Sequence, residues 1–436
     1  MATPIIPAEA DTPDSNGMQT LESSPVGFGS RLRAAAAKVL GDSRLLWTLV
    51  GITAIRRVLA DAPVFLPEGA DVYQFIESGR QALSNPGAIY SHSVALIATG
   101  YTWTITWPPP QILLAVPFSL VPPPLDAWLW VLTNALMSAV GLFLLYRAIR
   151  ERFGWTLPVY VLIVLLFTPI FEDVRLGQRG GPILLCAGAA MLAVRRHPVL
   201  AGALSGIGTS IKFYPAALML SVMPRYWSRF TAALVGVAGT VLAISFIPFG
   251  SSVLYVTKIL LPIGSGVEGS TGDCFQNSTP LLFSRLIGGH SYSVLSASGG
   301  VFTNVTLVPW RLPWLASILT YATIAAIVVA TLWAARRSGW AQPYSMSLAF
   351  SLGALIPGDV YTYQFLPLLP LTLVLMLKAI EQRLWGTVAL AGLALEAFVN
   401  SPCALPFSGL WTIAGLAIFG AAVAASSKFT ESRARS

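Results

Sequence analysis

The chain has 436 residues, 55% of them hydrophobic and only 11% charged, at a mean hydropathy of +0.69. Soluble domains carry about 25% charged residues, so the composition excludes an ordinary soluble enzyme and predicts an all-α, multispanning integral membrane protein. The net charge of +8 does not point to nucleic acid, because most Lys and Arg sit in short connections beside apolar runs, where cytoplasmic loops meet anionic lipid.

Residues 1–43 lack the early apolar core of a signal peptide and are rich in Pro, Ser, Asp and Glu at the start, which predicts a disordered cytoplasmic segment. A single transmembrane domain is expected over 44–426, with a cytoplasmic tail at 427–436 and extracytoplasmic loops at 61–107 and 250–309. Arg31, Arg33, Lys38 and Arg44 hold the start inside, and a first helix from about Leu45 to Ala60 runs outward. Arg56 and Arg57 are awkward in that helix. They either snorkel or face an outer cavity that binds an anion such as a phosphate.

Asp71 follows in the first outer loop, ahead of an amphipathic stretch. Val72, Phe75, Ile76, Gly79, Ala82 and Leu83 share one helical face, and Gln74, Glu77, Arg80 and Gln81 the other. A carboxylate tuned by partial burial is a natural base for a sugar hydroxyl, which is one reading of Asp71. Capping of the helix is the other. Tyr101, Trp103 and Trp107 read as an interfacial aromatic belt or as a platform for a sugar.

Apolar runs that approach spanning length include Trp128–Leu145, Trp155–Ile170, Phe230–Ile247, Leu315–Ala335 and Leu410–Ala425, and about ten or eleven spans are expected in all. With the basic clusters placed inside, simple alternation fails at Gln111–Val121 and at His197–Met223. Each reads as a re-entrant or broken hairpin, the second with Lys212 near its tip. Asp71, Glu77, Glu172, Asp173, Asp273 and Asp359 then all lie outside, so any chemistry belongs to that face. Lys212 suits a phosphate or serves as a snorkelling anchor. Glu172 and Asp173 with Arg175 and Arg179 read as a surface ion-pair cluster. The three histidines are scattered, so no metal site is expected, and no nucleotide-binding glycine pattern is present. Cys274 and Cys403 fall on the same outer side, which allows a disulfide.

The motifs in order are Asp71, Phe75 and Pro86-Gly-Ala-Ile-Tyr90; Trp107-Pro108-Pro109; Gly177-Gln178; Lys212-Phe-Tyr-Pro215; and Gln276-Asn277-Ser278 with Arg285-Leu286. This order resembles glycosyltransferase family 87, multispanning GT-C enzymes that use polyprenyl-phosphate sugars, among them mannosyltransferases of actinobacterial envelope glycolipids. Two departures stand out. Arg179-Gly-Gly-Pro replaces the Asn that usually follows Gly-Gln, and Pro357-Gly-Asp359-Val-Tyr361-Thr-Tyr363-Gln364 stands where the mannosyltransferases carry paired histidines.

The resemblance implies an inverting glycosyltransferase of the plasma membrane, acting on its extracytoplasmic face without a cofactor. Asp71 would be the base, and Lys212 with Arg56 or Arg57 would hold the donor phosphate. Trp107, Gln178, Asn277, Asp359, Tyr363 and Gln364 would line the substrate. The implied donor is a polyprenyl-phosphate sugar, mannose before arabinofuranose, and the acceptor a glycolipid or polysaccharide hydroxyl, with membrane lipid as the surrounding partner. A lipid or solute transporter is the competing class; it calls for polar groups near the midplane and repeated halves, and no repeat is evident.

Overall fold

Most apolar runs of the chain become helices, and their lengths decide which can cross a bilayer. The computed structural model describes residues 38, 42–61, 71–90, 93–95, 102–105, 107–150, 156–249, 252–260, 277–289, 291–295, 302–306, 311–357, 360–399 and 409–428. The chain divides into Met1–Asp42 and Ser43–Ser436, and every element named here belongs to the second unit. The disorder expected for residues 1–43, the Cys274–Cys403 pair and Asp359 lie wholly or almost wholly outside the described residues.

The helices in chain order begin with α1 (Ser43–Asp61), α2 (Asp71–Ser84), α3 (Pro109–Ser119), α4 (Leu125–Ile149), α5 (Thr156–Leu166) and α6 (Thr168–Arg175). Next come α7 (Gly180–Ala193), α8 (Pro198–Ile211), a 3-10 segment Tyr214–Ser221, α9 (Trp227–Phe246) and α10 (Thr279–Leu286). The last group is α11 (Pro313–Ser338), α12 (Pro343–Phe350), α13 (Leu352–Leu355), α14 (Leu368–Glu381), α15 (Trp385–Val399) and α16 (Leu410–Ala425). Strands among the described residues are two short antiparallel hairpins, Ser93–Ala95 with Thr102–Thr104 and Tyr292–Leu295 with Phe302–Val305. The protein is an all-α, multispanning membrane protein.

Among the described residues three helices, α4, α9 and α11, are long and apolar enough to cross a bilayer. Their 25, 20 and 26 residues correspond to about 30–39 Å of helix. The pair α5 and α6 makes a fourth if counted together, but it bends by 59°. Fewer single spans are therefore found among the described residues than the hydropathy runs led us to expect. The reason is that the apolar runs are interrupted rather than absent.

Two of the interruptions share one physical logic. Pro169 has no N–H for the carbonyl of Leu165, and Arg57 supplies the missing donor through Nε at 2.9 Å while its Nη2 reaches Thr168 Oγ1 at 2.7 Å. Pro215 likewise gives nothing to the carbonyl of Ile211, which instead accepts from Gln111 Nε2 of α3. A broken helix in lipid survives only where protein groups satisfy the freed backbone.

Of the two expected hairpins, only the one around Lys212 shows a turn and a return; Gln111–Val121 is mostly one short helix, α3. α3, with 11 residues, spans about 16 Å, too short to cross. α8 runs to Ile211, the chain turns through extended Lys212 (φ −145°, ψ 141°), and the 3-10 segment returns to the side from which α8 came. Its two feet, His197 and Arg225, line one cavity. Lys212 sits at the tip, as its sequence position implied.

α4 and α7 run in parallel and touch through glycine. A Cβ on Gly141 would stand 2.5 Å from the Leu184 carbonyl carbon, and one on Gly188 2.3 Å from Gly141 O. Small residues bring backbones close where no hydrophobic effect drives helices together. α2 lies across the same end of α4. Val72, Phe75 and Ile76 pack with Ala115 of α3 and with Ala127, Trp130 and Val131 of α4. The amphipathic reading of α2 holds for Val72, Phe75 and Ile76 and needs a correction on each face. Glu77 is buried as well, joined to Arg80 at 3.2 Å, and Arg80 bonds Asp126 at the start of α4, while Leu83 is exposed. The polar face of α2 thus docks by ion pairing instead of facing open water.

Candidate active site

Asp71 is the first residue of α2, and the turn after α6 fixes it there. Val72 N–H donates to Leu176 O at 2.9 Å, and Trp130 Nε1 donates to Gly177 O at 2.7 Å. Gly177 has φ +66°, and a Cβ on it would stand 2.4 Å from Val72 Cβ, so this position requires glycine twice over. The consequence is local and chemical. The turn delivers the fully buried Gln178, whose Nε2 donates to Asp71 Oδ2. Asp71 as a whole residue is only partly buried. Burial raises its pKa above the usual carboxylate range, and the charges of Arg179 and Lys212 pull it partly back.

Asp173 and Arg179 are not the surface ion-pair cluster expected from their spacing. Glu172 and Arg175 do form a partly exposed pair at 2.6 Å. Asp173, in contrast, is 1% exposed; it accepts from Asn134 Nδ2 at 3.1 Å and from the Gly180 N–H at 3.1 Å, anchoring the first turn of α7. Arg179 is 2% exposed. Its guanidinium lies 4.4 Å from the Trp107 ring centroid and 5.3 Å from that of Phe75. Its Nε and Nη1 have no hydrogen-bond partner among the described residues. A buried guanidinium with unused N–H groups leaves a large desolvation cost uncompensated, and an anion beside it would remove that cost.

Lys212 faces the same group from the hairpin tip. Its Nζ lies 5.1 Å from the Tyr363 ring centroid and 5.6 Å from that of Tyr214. Lys212, Asp173, Gly180, Tyr214 and Tyr363 line one small cavity. Tyr363 stacks on Tyr361 with ring planes 2° apart and centroids 5.9 Å apart. Gln364 is partly buried on the same 3-10 turn, Thr362–Phe365. Asn277 is buried at the mouth of α10, and its N–H donates to Val360 O at 2.6 Å, which ties that loop to the Tyr361–Tyr363 segment.

Of the residues singled out from sequence, the fold therefore gathers Asp71, Gln178, Trp107, Lys212 and Tyr363, with Asn277 and Gln364 flanking. Arg57 is placed at the α5–α6 break, over the Phe171 ring at 4.9 Å, and Arg56 is exposed on α1. The charges acting on Asp71 are those of Arg179 and Lys212, not of this pair. Sequence reasoning missed Arg179 as a site residue. The available signal was its position, a cation directly between Gly177-Gln178 and an apolar helix that opens Gly180-Gly181-Pro182, where a solvated side chain has little room. Phe75, expected on the apolar face of α2 and as part of the motif order, also forms one wall of the guanidinium's aromatic slot.

The arrangement joins one carboxylate and two cations in a recess walled by aromatic rings. Such a set can accept a proton from a hydroxyl and hold an anionic leaving group within a few residues of each other. No curated protein and no solved structure matches the chain. The family model described as glycosyltransferase family 87 matches residues 105–358, more than half of the chain, and takes in Gln178, Arg179, Lys212 and Asn277. The chain belongs to glycosyltransferase family 87.

Proposed function

We propose that this glycosyltransferase moves a sugar, mannose before arabinofuranose, from a polyprenyl-phosphate donor to a hydroxyl of an envelope glycolipid or glycan. The reaction takes place on the extracytoplasmic face of the plasma membrane. In this reading the acceptor oxygen attacks the anomeric carbon in line, the bond from that carbon to the phosphate oxygen breaks, and the configuration inverts. The acceptor proton passes to Asp71. The polyprenyl phosphate leaves as an anion held by Lys212 and by the free N–H groups of Arg179, which takes the part first considered for Arg56 and Arg57. Trp107 and Tyr363 offer ring faces to the sugar, and Gln178 orients the Asp71 carboxylate. Asp359 and Asn277 remain proposed substrate contacts.

One observation carries the reading: Asp71 and the buried, incompletely bonded Arg179 occupy the same recess, with Lys212 aimed at it from a broken helix. A base with two fixed cations suits a reaction in which a proton is removed and a phosphate departs. Family membership favours transfer over the transporter reading. The test uses membranes containing the full chain, each labelled polyprenyl-phosphate sugar in turn and an envelope glycolipid extract. Labelled product from one donor, lost in Asp71→Asn, supports the proposal. Product formation that persists in Asp71→Asn, or none from any polyprenyl-phosphate sugar with an active parent on another donor, overturns it.

A further inference from the structure

At the ends of α4, α7 and α14 remote from Asp71 lies a second cavity, of about 1450 Å³. Its wall carries Arg147 and Arg150 from the end of α4, Arg195 and Arg196 after α7, Arg225 at the foot of the hairpin, and Lys378 of α14. No Asp or Glu is among the described residues lining it; Glu381 meets Arg150 from beside it. Six like charges around one space repel one another, and an anion between them converts that repulsion into attraction.

Topology alone does not produce this convergence. Cations at other helix ends, Arg229 in the first turn of α9 and Arg336 and Arg337 in the last turn of α11, are as exposed as Arg195, Arg196 and Arg225 yet do not line the cavity. The wall is also amphipathic. Phe143 and Leu192 belong to it and are 51% and 44% exposed, on helices whose outer surfaces are apolar. A soluble anion has no use for such side chains, whereas acyl chains do.

We propose that this cavity binds the phosphate-bearing head group of an anionic membrane lipid, with the acyl chains along Phe143 and Leu192. The inference does not depend on the sugar or donor proposed for the Asp71 recess. It is tested on the purified full chain by thermal melting while phosphatidylglycerol, phosphatidylcholine or inorganic phosphate is added. Two triple variants are compared, Arg195→Gln/Arg196→Gln/Arg225→Gln in the cavity and Arg229→Gln/Arg336→Gln/Arg337→Gln outside it. Phosphatidylglycerol is expected to raise the melting temperature of the parent and of the outside triple. The cavity triple should need about tenfold more lipid, or yet more, for the same shift. Equal loss in both triples would reduce the effect to diffuse membrane charge and overturn the proposal. So would equal protection by phosphatidylcholine, and so would full protection by inorganic phosphate alone, which identifies a free-anion site. If the cavity triple does not accumulate, Arg225→Gln against Arg229→Gln carries the same comparison.

Discussion

The two ends of α4 hold charge in opposite ways. At the Asp71 end, carboxylates and cations are buried together, each within reach of the other sign or of an aromatic face: Asp173 on Asn134 and Gly180, Arg179 on Trp107, Lys212 beside Tyr363. At the far end, about 37 Å along the helix, six cations surround an open cavity with no acid among its described lining residues, and Glu381 pairs with Arg150 beside it. The difference follows from solvation. A charge taken out of water must be compensated inside the protein, so the recess contains both signs in fixed geometry; a charge left at an open cavity is compensated by water and by whatever anion arrives. Fixed geometry is what chemistry requires, and an open basic cavity is suited to holding.

Breaking the recess should cost far more than thinning the basic cavity. The largest loss is expected from Asp71→Asn, about 10³-fold or more in transfer rate, since the variant keeps shape and hydrogen bonding but removes the base. Because burial raises the Asp71 pKa, the ionised carboxylate is disfavoured by the fold at neutral pH, and Asn removes that penalty. The inactive variant should therefore melt no lower than the parent. An unfolded protein would void the assignment of the rate loss to chemistry.

Next in size are the cations. Arg179→Gln and Lys212→Met should each lower transfer by about 10²- to 10³-fold, with Arg179→Lys between them and the parent, because a compact ammonium does not reproduce the fork lying on Trp107. Rates at saturating acceptor over a donor titration check this. If Arg179→Gln changes only the acceptor KM, the guanidinium does not serve the leaving group.

A smaller effect, and a sharper one, concerns pH. Transfer needs Asp71 unprotonated, so activity should fall as pH drops through a value above the ordinary carboxylate range near about 4. Gln178 donates to the charged form, so Gln178→Leu should move that limb to higher pH while the plateau falls only modestly. A pH profile of the variant that overlays the parent would remove Gln178 from this role. The smallest expected change to the chemistry is indirect: Gly177→Ala strains a positive φ and pushes on Val72, which should destabilise the fold by about 1–3 kcal/mol, read as a lowered melting temperature.

How much of this was legible beforehand differs from residue to residue. Lys212 stood out because a lone lysine inside an apolar hairpin has few uses, and the structure places it at a hairpin tip beside Asp173. Asp71 was open between cap and base; the fold supplies Gln178, Arg179 and Lys212 around it, which no helical period contains. Arg179 was misread because four charges within eight residues look the same whether they lie on a surface or around a turn. Only the contact with Trp107, 72 positions earlier in the chain, distinguishes the two.

By itself, then, the sequence determined the solvent of this protein. Its low charge and long apolar runs committed it to helices in lipid, and its basic clusters set the helix ends. All of these are local properties, so they survive without knowledge of the fold. The tertiary structure alone decided which broken ends meet. Arg57 meets Leu165, Gln111 meets Ile211, and Asp71, Arg179 and Lys212 share one recess although they come from three separate segments. Electrostatic partnership depends on distance in space and on exclusion of water, and neither can be read from distance along a chain.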